Sequence, residues 1–194
     1  MKVAIVKYNA GNVESVKNAL VRLNVEPILT DDAETLESAD KIIFPGVGEA
    51  SSAMKYLREK NLDTAIKNLV QPVLGICLGM QLLCDFSEEN ETKCLEILPY
   101  RVRKFESKTL KIPQTGWNSI FDLKSDLFKA IVENSYVYFV HSFYVETGAE
   151  TIAACNYSTK FSAAIKHKNF YAVQFHAEKS SAVGEKILEN FLGI

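Results

Sequence analysis

The first half of the chain alternates short runs of apolar, largely β-branched residues with longer stretches in which apolar residues recur every three or four positions. The short runs are typical of buried strands, and the longer spacing is typical of helices that bury one face. The pattern predicts strands at residues 3–6, 27–29, 41–44 and 73–76. It predicts helices at residues 13–23, from Asp31 or Asp32 through Leu36, around Met54 and Leu57, and at 62–70.

The second half is richer in predicted strands, which lie around Val102 and Ile120 and at residues 137–140, 152–154, 163–165 and 171–175. A final helix is predicted at 182–192, and the polar segment 87–93 is predicted to be an acidic loop. Alternating strands and helices favour an α/β fold with an open, mainly parallel central sheet and helices on both faces. We expect a flavodoxin-like domain with a small additional β-sheet. Since no linker or repeat interrupts residues 1–194, one domain is expected.

Composition excludes several classes of function. The formal net charge of −2 gives no reason to expect nucleic acid or an anionic membrane as a partner. No apolar stretch resembles a signal peptide or a membrane span, so a cytoplasmic protein is expected. Four cysteines, none in a C-x-x-C pair, and three histidines favour neither disulfides nor a metal site. We therefore expect no metal and no cofactor, and we interpret Cys84, Cys94 and Cys155 as core residues.

Cys77 differs from the other cysteines because it lies between Gly75 and Gly79, directly after the predicted strand 73–76. Gly-x-Cys-x-Gly is the thiol counterpart of the Gly-x-Ser-x-Gly elbow, in which a tight turn from strand to helix exposes a nucleophile. Backbone N–H groups at the start of the following helix favour a thiolate, and the Leu78 amide is placed to bind an oxyanion. A turn that carries an inert thiol explains this motif alone equally well.

A candidate base lies near the end of the chain, in residues 174–178 (Gln-Phe-His-Ala-Glu). Alternation along a strand would place His176 and Glu178 on one face. A carboxylate in that position can orient the imidazole while the other ring nitrogen takes the thiol proton. Cys77, His176 and Glu178 are therefore the predicted catalytic residues. His167 lies in a polar turn, where we expect it to be solvated and without a role.

Residues 75–81 (Gly-Ile-Cys-Leu-Gly-Met-Gln) and 174–178 resemble the two main signatures of the class I (triad) glutamine amidotransferases, and the resemblance extends from end to end. It implies that the Cys77 thiolate attacks the side-chain amide of glutamine, which yields a γ-glutamyl thioester and ammonia. His176 would act as base and then acid, and Glu178 would orient it. Water would then release glutamate.

The resemblance also implies a substrate pocket and an oxyanion hole. The Val47 and Leu78 amides would form the oxyanion hole. Glutamine would be bound by Gly46, Gly48, Gln81, Glu89, His141, Ser142 and Phe143.

A partner is implied because nothing in these residues could hold an acceptor for the ammonia. Segments 8–16, 45–48 and 112–118 resemble family members whose partner is a HisF-type cyclase, a (β/α)₈ barrel. That cyclase converts the nucleotide PRFAR into imidazole glycerol phosphate and AICAR in histidine biosynthesis. The resemblance implies a heterodimer, with Asn12, Trp117, Tyr138 and Lys179 at the interface.

The sequence departs from the family pattern in three places. Ala177 stands where proline is usual, which removes a restraint on φ but no catalytic atom. Gln114 replaces the usual histidine, and residues 94–96 occupy a place usually richer in glycine. The second and third departures concern the partner and the substrate and not the triad.

Three alternatives stay open on the sequence. A paralogous glutaminase could supply ammonia to an enzyme that builds amidino-sugars for surface polysaccharide. A non-catalytic binding subunit could shape its partner only, although the presence of all three triad residues argues against that. A thiol hydrolase or stress protein of similar α/β architecture is disfavoured by the His-x-Glu pair and by the Gly-Trp-Asn segment at 116–118.

Overall fold

The computed structural model describes residues 1–9 and 13–194. The strands are β1 Val3–Val6, β2 Ile28–Thr30, β3 Lys41–Gly46, β4 Val73–Cys77, β5 Cys84–Ser87, β6 Thr92–Lys93, β7 Leu98–Lys104, β8 Gln114–Ile120, β9 Ser135–His141, β10 Phe143–Val145, β11 Thr151–Tyr157, β12 Thr159–His167 and β13 Phe170–Val173. The helices are α1 Val13–Arg22, α2 Ala33–Glu37, α3 Ala50–Glu59, α4 Leu62–Asn68, α5 Leu78–Leu83 and α6 Ser181–Gly193.

A seven-stranded sheet forms the centre of the fold, in the order β11-β12-β13-β4-β3-β1-β2. The five strands from β13 to β2 pair in parallel, and β11 and β12 add an antiparallel edge. This confirms the predicted open, mainly parallel sheet. Because the carboxyl ends of parallel strands meet at one edge, β1, β3 and β4 deliver the residues that follow them to the same place.

Helices cover both faces of this sheet. Ala4 and Val6 point to the face covered by α2, α3, α4 and α5, whereas Val3 and Ile5 point to the face covered by α1 and α6. Side chains alternate between faces along a strand, so the continuous apolar run of β1 supplies both cores. Burial of these side chains on each face stabilises the fold through the hydrophobic effect.

The remaining strands form two small sheets, one of four strands in the order β10-β7-β5-β6 and one that pairs β8 with β9. The prediction of a loop at 87–93 was wrong in part, because Glu89–Glu91 form a 3₁₀ turn and Thr92–Lys93 pair with β5. A strand of two polar residues carries no readable alternation. The strand predicted at 171–175 ends at Val173, before the candidate base.

The turn from β4 into α5 depends on two glycines that let the helix approach the sheet. A Cβ on Gly79 would lie 1.8 Å from the carbonyl oxygen of Phe44 in β3. A Cβ on Gly75 would lie 2.9 Å from Leu83 Cδ1. Backbone atoms on both sides of Gly79 are held in regular structure and cannot move away cheaply. Hydrogen is therefore the only side chain that position 79 accepts without displacing α5.

We expect Gly79→Ala to lower the free energy of unfolding by about 3 kcal/mol, the upper end of the usual cost of overpacking. Urea unfolding followed by circular dichroism measures the change. Gly193→Ala is the matched control, because a Cβ there meets nothing within 4 Å. Equal stability of the two variants would contradict the steric argument.

Candidate active site

Cys77 is the last residue of β4 and immediately precedes α5. Its φ of 53° and ψ of −110° put a non-glycine residue in a rarely populated conformation. Such a backbone costs on the order of 1–3 kcal/mol and persists only where surrounding structure enforces it. Here β4 on one side and the close packing of α5 on the other fix it. The structure therefore has the strand-to-helix elbow that the glycine pattern predicted.

His176 and Glu178 come together, although not by the geometry expected. The prediction of a strand through both residues was wrong, since Ala177–Lys179 form a 3₁₀ turn after His176. The turn still brings His176 Nδ1 to 2.8 Å from Glu178 Oε1. Their side chains are only 4% and 1% exposed. A buried carboxylate at this distance fixes the ring orientation and leaves Nε2 free to face a proton donor.

The charge state of His176 follows from its two neighbours. Burial lowers its pKa, but the side-chain contacts with Cys77 and Glu178 outweigh burial and raise the pKa to about 10. These contacts therefore favour the protonated, imidazolium form of the ring. An imidazolium beside a thiol favours the thiolate, which is the nucleophilic form of cysteine.

A cleft of about 340 Å³ opens at Cys77. Its lining includes most of the residues predicted for catalysis and binding: Val47, Gly48, Cys77, Leu78, Gln81, Glu89, His141, Ser142, Phe143, His176 and Lys179. Gly46 and Glu178 do not line it, and Gly46 pairs with Cys77 in the sheet. Asn12 lies outside the described residues. Trp117 and Tyr138 face each other across the β8–β9 pair.

Three of the lining side chains are held by protein groups. Glu89 Oε2 accepts a hydrogen bond from the Ala50 N–H at 2.8 Å, at the start of α3. Burial raises the pKa of Glu89, and that bond opposes the rise. Gln81 Nε2 donates to the Phe143 carbonyl at 3.1 Å, and His141 Nδ1 donates to the same carbonyl at 2.7 Å. These bonds leave one carboxylate oxygen of Glu89 and the amide oxygen of Gln81 without a donor among the described residues.

Sequence reasoning missed Tyr8, whose hydroxyl donates to the Pro45 carbonyl at 2.7 Å. The ring is buried, which raises the pKa of its hydroxyl well above its ordinary value, and the nearby Cys77 raises it further. A Cβ on Gly46 would lie 2.2 Å from this hydroxyl. Tyr8 follows β1, Pro45 lies in β3 and Cys77 ends β4, so the common carboxyl edge of these strands was a signal that could have found it.

Pro113, Val140 and Gln174 were also missed. Pro113 and Val140 line the cleft, and the Val140 carbonyl lies 3.8 Å from Cys77 Sγ. Gln174 lies behind the cleft and contacts Cys77 directly. The motif at 174–178 pointed to this residue, but a sequence does not show which groups a neutral amide contacts.

The described residues outside the cleft include three more cysteines and a third histidine. In residues 1–9 and 13–194, no group of three His, Cys, Asp or Glu side chains is placed to hold a metal ion. Cys84, Cys94 and Cys155 are buried, and burial raises the pKa of each thiol. The prediction of a solvated His167 in a turn was wrong, because His167 is the last residue of β12 and is partly buried, with Nδ1 3.8 Å from Glu150 Oε1. None of the helices described is both long and apolar enough to cross a membrane.

The arrangement of these groups suits nucleophilic attack on a small polar carbonyl compound. The cleft brings a thiol, an oriented imidazole and several hydrogen-bonding groups to one small volume. A model of the family described as "Glutamine amidotransferase class-I" matches residues 5–193. The chain belongs to this family. It is a glutamine amidotransferase, and the resemblance predicted from its two motifs is confirmed.

Curated relatives match this amidotransferase over its full length. The imidazole glycerol phosphate synthase subunit HisH of Bacteroides fragilis (strain YCH46) is 55% identical over 194 residues, which cover 99% of each chain. HisH of Bacteroides thetaiotaomicron is 54% identical over 196 residues, with both chains fully covered. HisH of Haemophilus influenzae is 44% identical over 193 residues, 99% of this chain and 97% of the relative.

Solved structures share the fold of this amidotransferase. A protein from Thermoplasma acidophilum assigned as a GMP synthase subunit superposes with a TM-score of 0.78 at 21% identity, and the match covers 100% of this chain and 93% of that one. A structure described as a glutamine amidotransferase gives a TM-score of 0.76 at 18% identity, with 98% and 97% covered. The similarity supports the family fold.

The buried His141 makes stability depend on pH. Burial lowers its pKa to about 4 from an ordinary value of 6.5, with the charge of His176 adding to the effect and the bond to Phe143 opposing it. Between those values the unfolded chain binds a proton that the folded chain does not, so stability is lost as the pH falls below 6.5. From pH 7.5 to 5 this loss is about 2 kcal/mol.

Urea unfolding of the parent chain and of His141→Gln at both pH values measures this contribution. We expect the free energy of unfolding to fall by about 2 kcal/mol more in the parent, because the variant has lost the titrating group. Equal pH dependence in the two proteins would contradict a neutral, buried His141.

Proposed function

We propose that this chain is the glutaminase subunit of imidazole glycerol phosphate synthase, with Cys77, His176 and Glu178 as its catalytic triad. The observation that carries the proposal is the buried pair of His176 and Glu178 at 2.8 Å, beside the thiol of Cys77 in the cleft. The full-length identity of 55% with a HisH subunit supports the choice of this reaction among those of the family.

In the proposed reaction the Cys77 thiolate attacks the side-chain carbonyl carbon of glutamine. The tetrahedral oxyanion collapses to a γ-glutamyl thioester as His176 gives its proton to the departing amino group, and ammonia leaves. His176 then takes a proton from water, which attacks the thioester and releases glutamate and the thiolate. Glu178 keeps Nδ1 of His176 protonated and its Nε2 directed at the reacting atoms throughout.

The cleft supports specific roles for the groups around the nucleophile. The Leu78 amide at the start of α5 and the Val47 amide after β3 are the proposed donors to the oxyanion. The amide oxygen of Gln81 and the second carboxylate oxygen of Glu89 suit the positively charged α-amino group of glutamine. Gly48 and residues 141–143 would complete the pocket. Gly46 does not line the pocket and would act by fixing the loop that carries Val47 and Gly48.

The proposed partner is a HisF-type (β/α)₈-barrel cyclase that uses the ammonia to convert PRFAR into imidazole glycerol phosphate and AICAR. An apolar surface beside the cleft supports a docking site, because Trp117 is 52% exposed and Tyr136 is 61% exposed on the β8–β9 pair. Large exposed aromatic side chains are typical of protein interfaces. Lys179 is exposed at the cleft margin, where it could meet an acidic group of the partner.

Strand β9 of this pair is hydrogen-bonded directly to the segment that carries His176 and Glu178. The His176 N–H donates to the Tyr138 carbonyl at 2.9 Å. The Tyr138 N–H donates to Ser180 Oγ at 2.9 Å, on the far side of the 3₁₀ turn. A partner that contacts β9 would therefore act on the backbone that holds His176. We propose this connection as the route by which cyclase binding affects glutamine hydrolysis.

Glutamate release from glutamine tests the proposed reaction, with and without the HisF-type cyclase and PRFAR. We expect low turnover by the chain alone, strong stimulation by cyclase with PRFAR, and a loss of about 10³-fold or more in Cys77→Ala. Cys84→Ala, which truncates a buried thiol away from the cleft, is the control and should retain activity. Full activity in Cys77→Ala would overturn the mechanism. Activity that ignores the cyclase would overturn the partner and favour the amidino-sugar paralogue.

The proposed docking surface predicts the effect of Trp117→Ala on the affinity for the cyclase. Truncation of an exposed aromatic at the centre of an interface should raise Kd by about tenfold or more. Isothermal titration calorimetry measures Kd. Val70→Ala is the matched control, since Val70 is exposed near the opposite, amino end of β4. Equal affinity of both variants would place the contact surface elsewhere on the protein.

A further inference from the structure

A chain of buried polar groups runs from the wall of the cleft to the nucleophile. Gln81 Nε2 lies 3.1 Å from the Phe143 carbonyl oxygen and 3.0 Å from Gln174 Oε1. Gln174 Nε2 lies 3.7 Å from Cys77 Sγ, within hydrogen-bonding reach of a sulfur atom. Gln174 is completely buried. A buried amide has to satisfy both its ends, and here one end does so on the nucleophile.

The hydrogen-bonding chemistry fixes which end of Gln174 faces the sulfur. A backbone carbonyl can only accept, so the group of Gln81 that contacts Phe143 has to be its NH₂. The second hydrogen of that NH₂ then requires an acceptor, and the only amide atom of Gln174 that accepts is Oε1. Gln174 must consequently turn its own NH₂ toward Cys77. The Phe143 carbonyl therefore fixes the orientation of the Gln81 amide, which in turn fixes the orientation of the Gln174 amide.

The backbone around Gln174 leaves this orientation little freedom. The Gln174 N–H donates to the Ala163 carbonyl at 2.8 Å, which ties the residue to β12. The Phe143 carbonyl oxygen also accepts a hydrogen bond from His141 Nδ1 at 2.7 Å. Phe143 and Gln174, the two residues between which Gln81 is held, are therefore attached to structure that does not depend on a substrate.

We propose that Gln174 is a positioning residue for the nucleophile, whose side-chain N–H, aimed by Gln81, donates to Cys77 Sγ and stabilises its negative charge. This inference rests on the proposed function, because it assumes that Cys77 reacts as a thiolate. An N–H donor on sulfur stabilises the thiolate more than the thiol, since hydrogen bonds to charged acceptors are the stronger ones. Through its bond to Gln81, Gln174 also holds the sulfur at a fixed position relative to the cleft.

Other titratable groups lie around the thiol and stay unchanged in the test. His176 and Glu178 approach it from the 3₁₀ turn, and Tyr8 approaches it from the segment after β1. His141, Glu89 and Lys179 face the same cleft. A substitution at Gln174 removes the amide donor and leaves all six of these titratable groups in place.

The test is the pH dependence of alkylation of Cys77 by iodoacetamide, followed by peptide mass spectrometry in the full-length chain. We expect the midpoint of the profile to rise by about one pH unit in Gln174→Met, which keeps the side-chain length and removes the donor. Gln174→Glu should raise it at least as far, because a carboxylate oxygen would face the sulfur. This nearly isosteric variant carries the test if Gln174→Met fails to fold.

Gln71→Met is the matched control, because Gln71 donates to the Leu36 carbonyl at 2.8 Å, away from the cleft. Its midpoint should equal that of the parent. With the cyclase and PRFAR present, Gln174→Met should lower kcat about tenfold and change KM for glutamine less than about twofold. A change in KM alone would show a role in substrate binding and would overturn the inference.

Two failures are distinguishable in the same experiment. An unchanged alkylation midpoint in folded Gln174 variants, with a parent that reacts at neutral pH, would overturn the inference and leave the proposed function standing. A parent whose Cys77 reacts no faster than in the urea-unfolded chain, and that releases no glutamate with the cyclase, would overturn the proposed function itself.

Discussion

The close contact between α5 and the central sheet fixes the position of the Cys77 thiol in the cleft, on which the other groups of the cleft depend. Gly79 lets the helix lie against the Phe44 carbonyl, and this approach forces Cys77 into its strained conformation at the end of β4. The burial of apolar side chains on both faces of the sheet offsets the energetic cost of this backbone conformation. Without the close approach, the thiol would have no fixed relation to the loop after β3 or to the imidazole that arrives from the chain terminus.

Residues 176–178 show how a predicted contact can form in a backbone other than the one predicted. Spacing on a strand predicted that His176 and Glu178 share a face, whereas the chain forms a 3₁₀ turn there and closes the same contact at 2.8 Å. An imidazole and a carboxylate at hydrogen-bonding distance attract each other in either geometry. Residue chemistry predicted the contact, and the backbone that makes it depends on packing against β9 and α6 that no local pattern reveals.

The central sheet, its helices and the elbow were predictable because apolar periodicity and glycine placement are local signals. The short strands β5, β6 and β10 were not, because their pairing depends on partners far along the chain. The predicted residues that the structure brings together in the cleft are ones whose chemistry is overt, such as Cys77 and His176. Tyr8 and Gln174 were missed because a tyrosine or glutamine acquires its role only from the groups that it meets in three dimensions.

Strand β9 serves three environments at once. Val137 and Phe139 point into the core, Tyr136 points outward, and His141 at its end forms part of the cleft wall. A shift of one residue would exchange the inner and outer sides and bury what is now exposed. Insertions and deletions in this strand should therefore be far less tolerated during evolution than substitutions on its outer side. The surface of β9 can diversify only at fixed length.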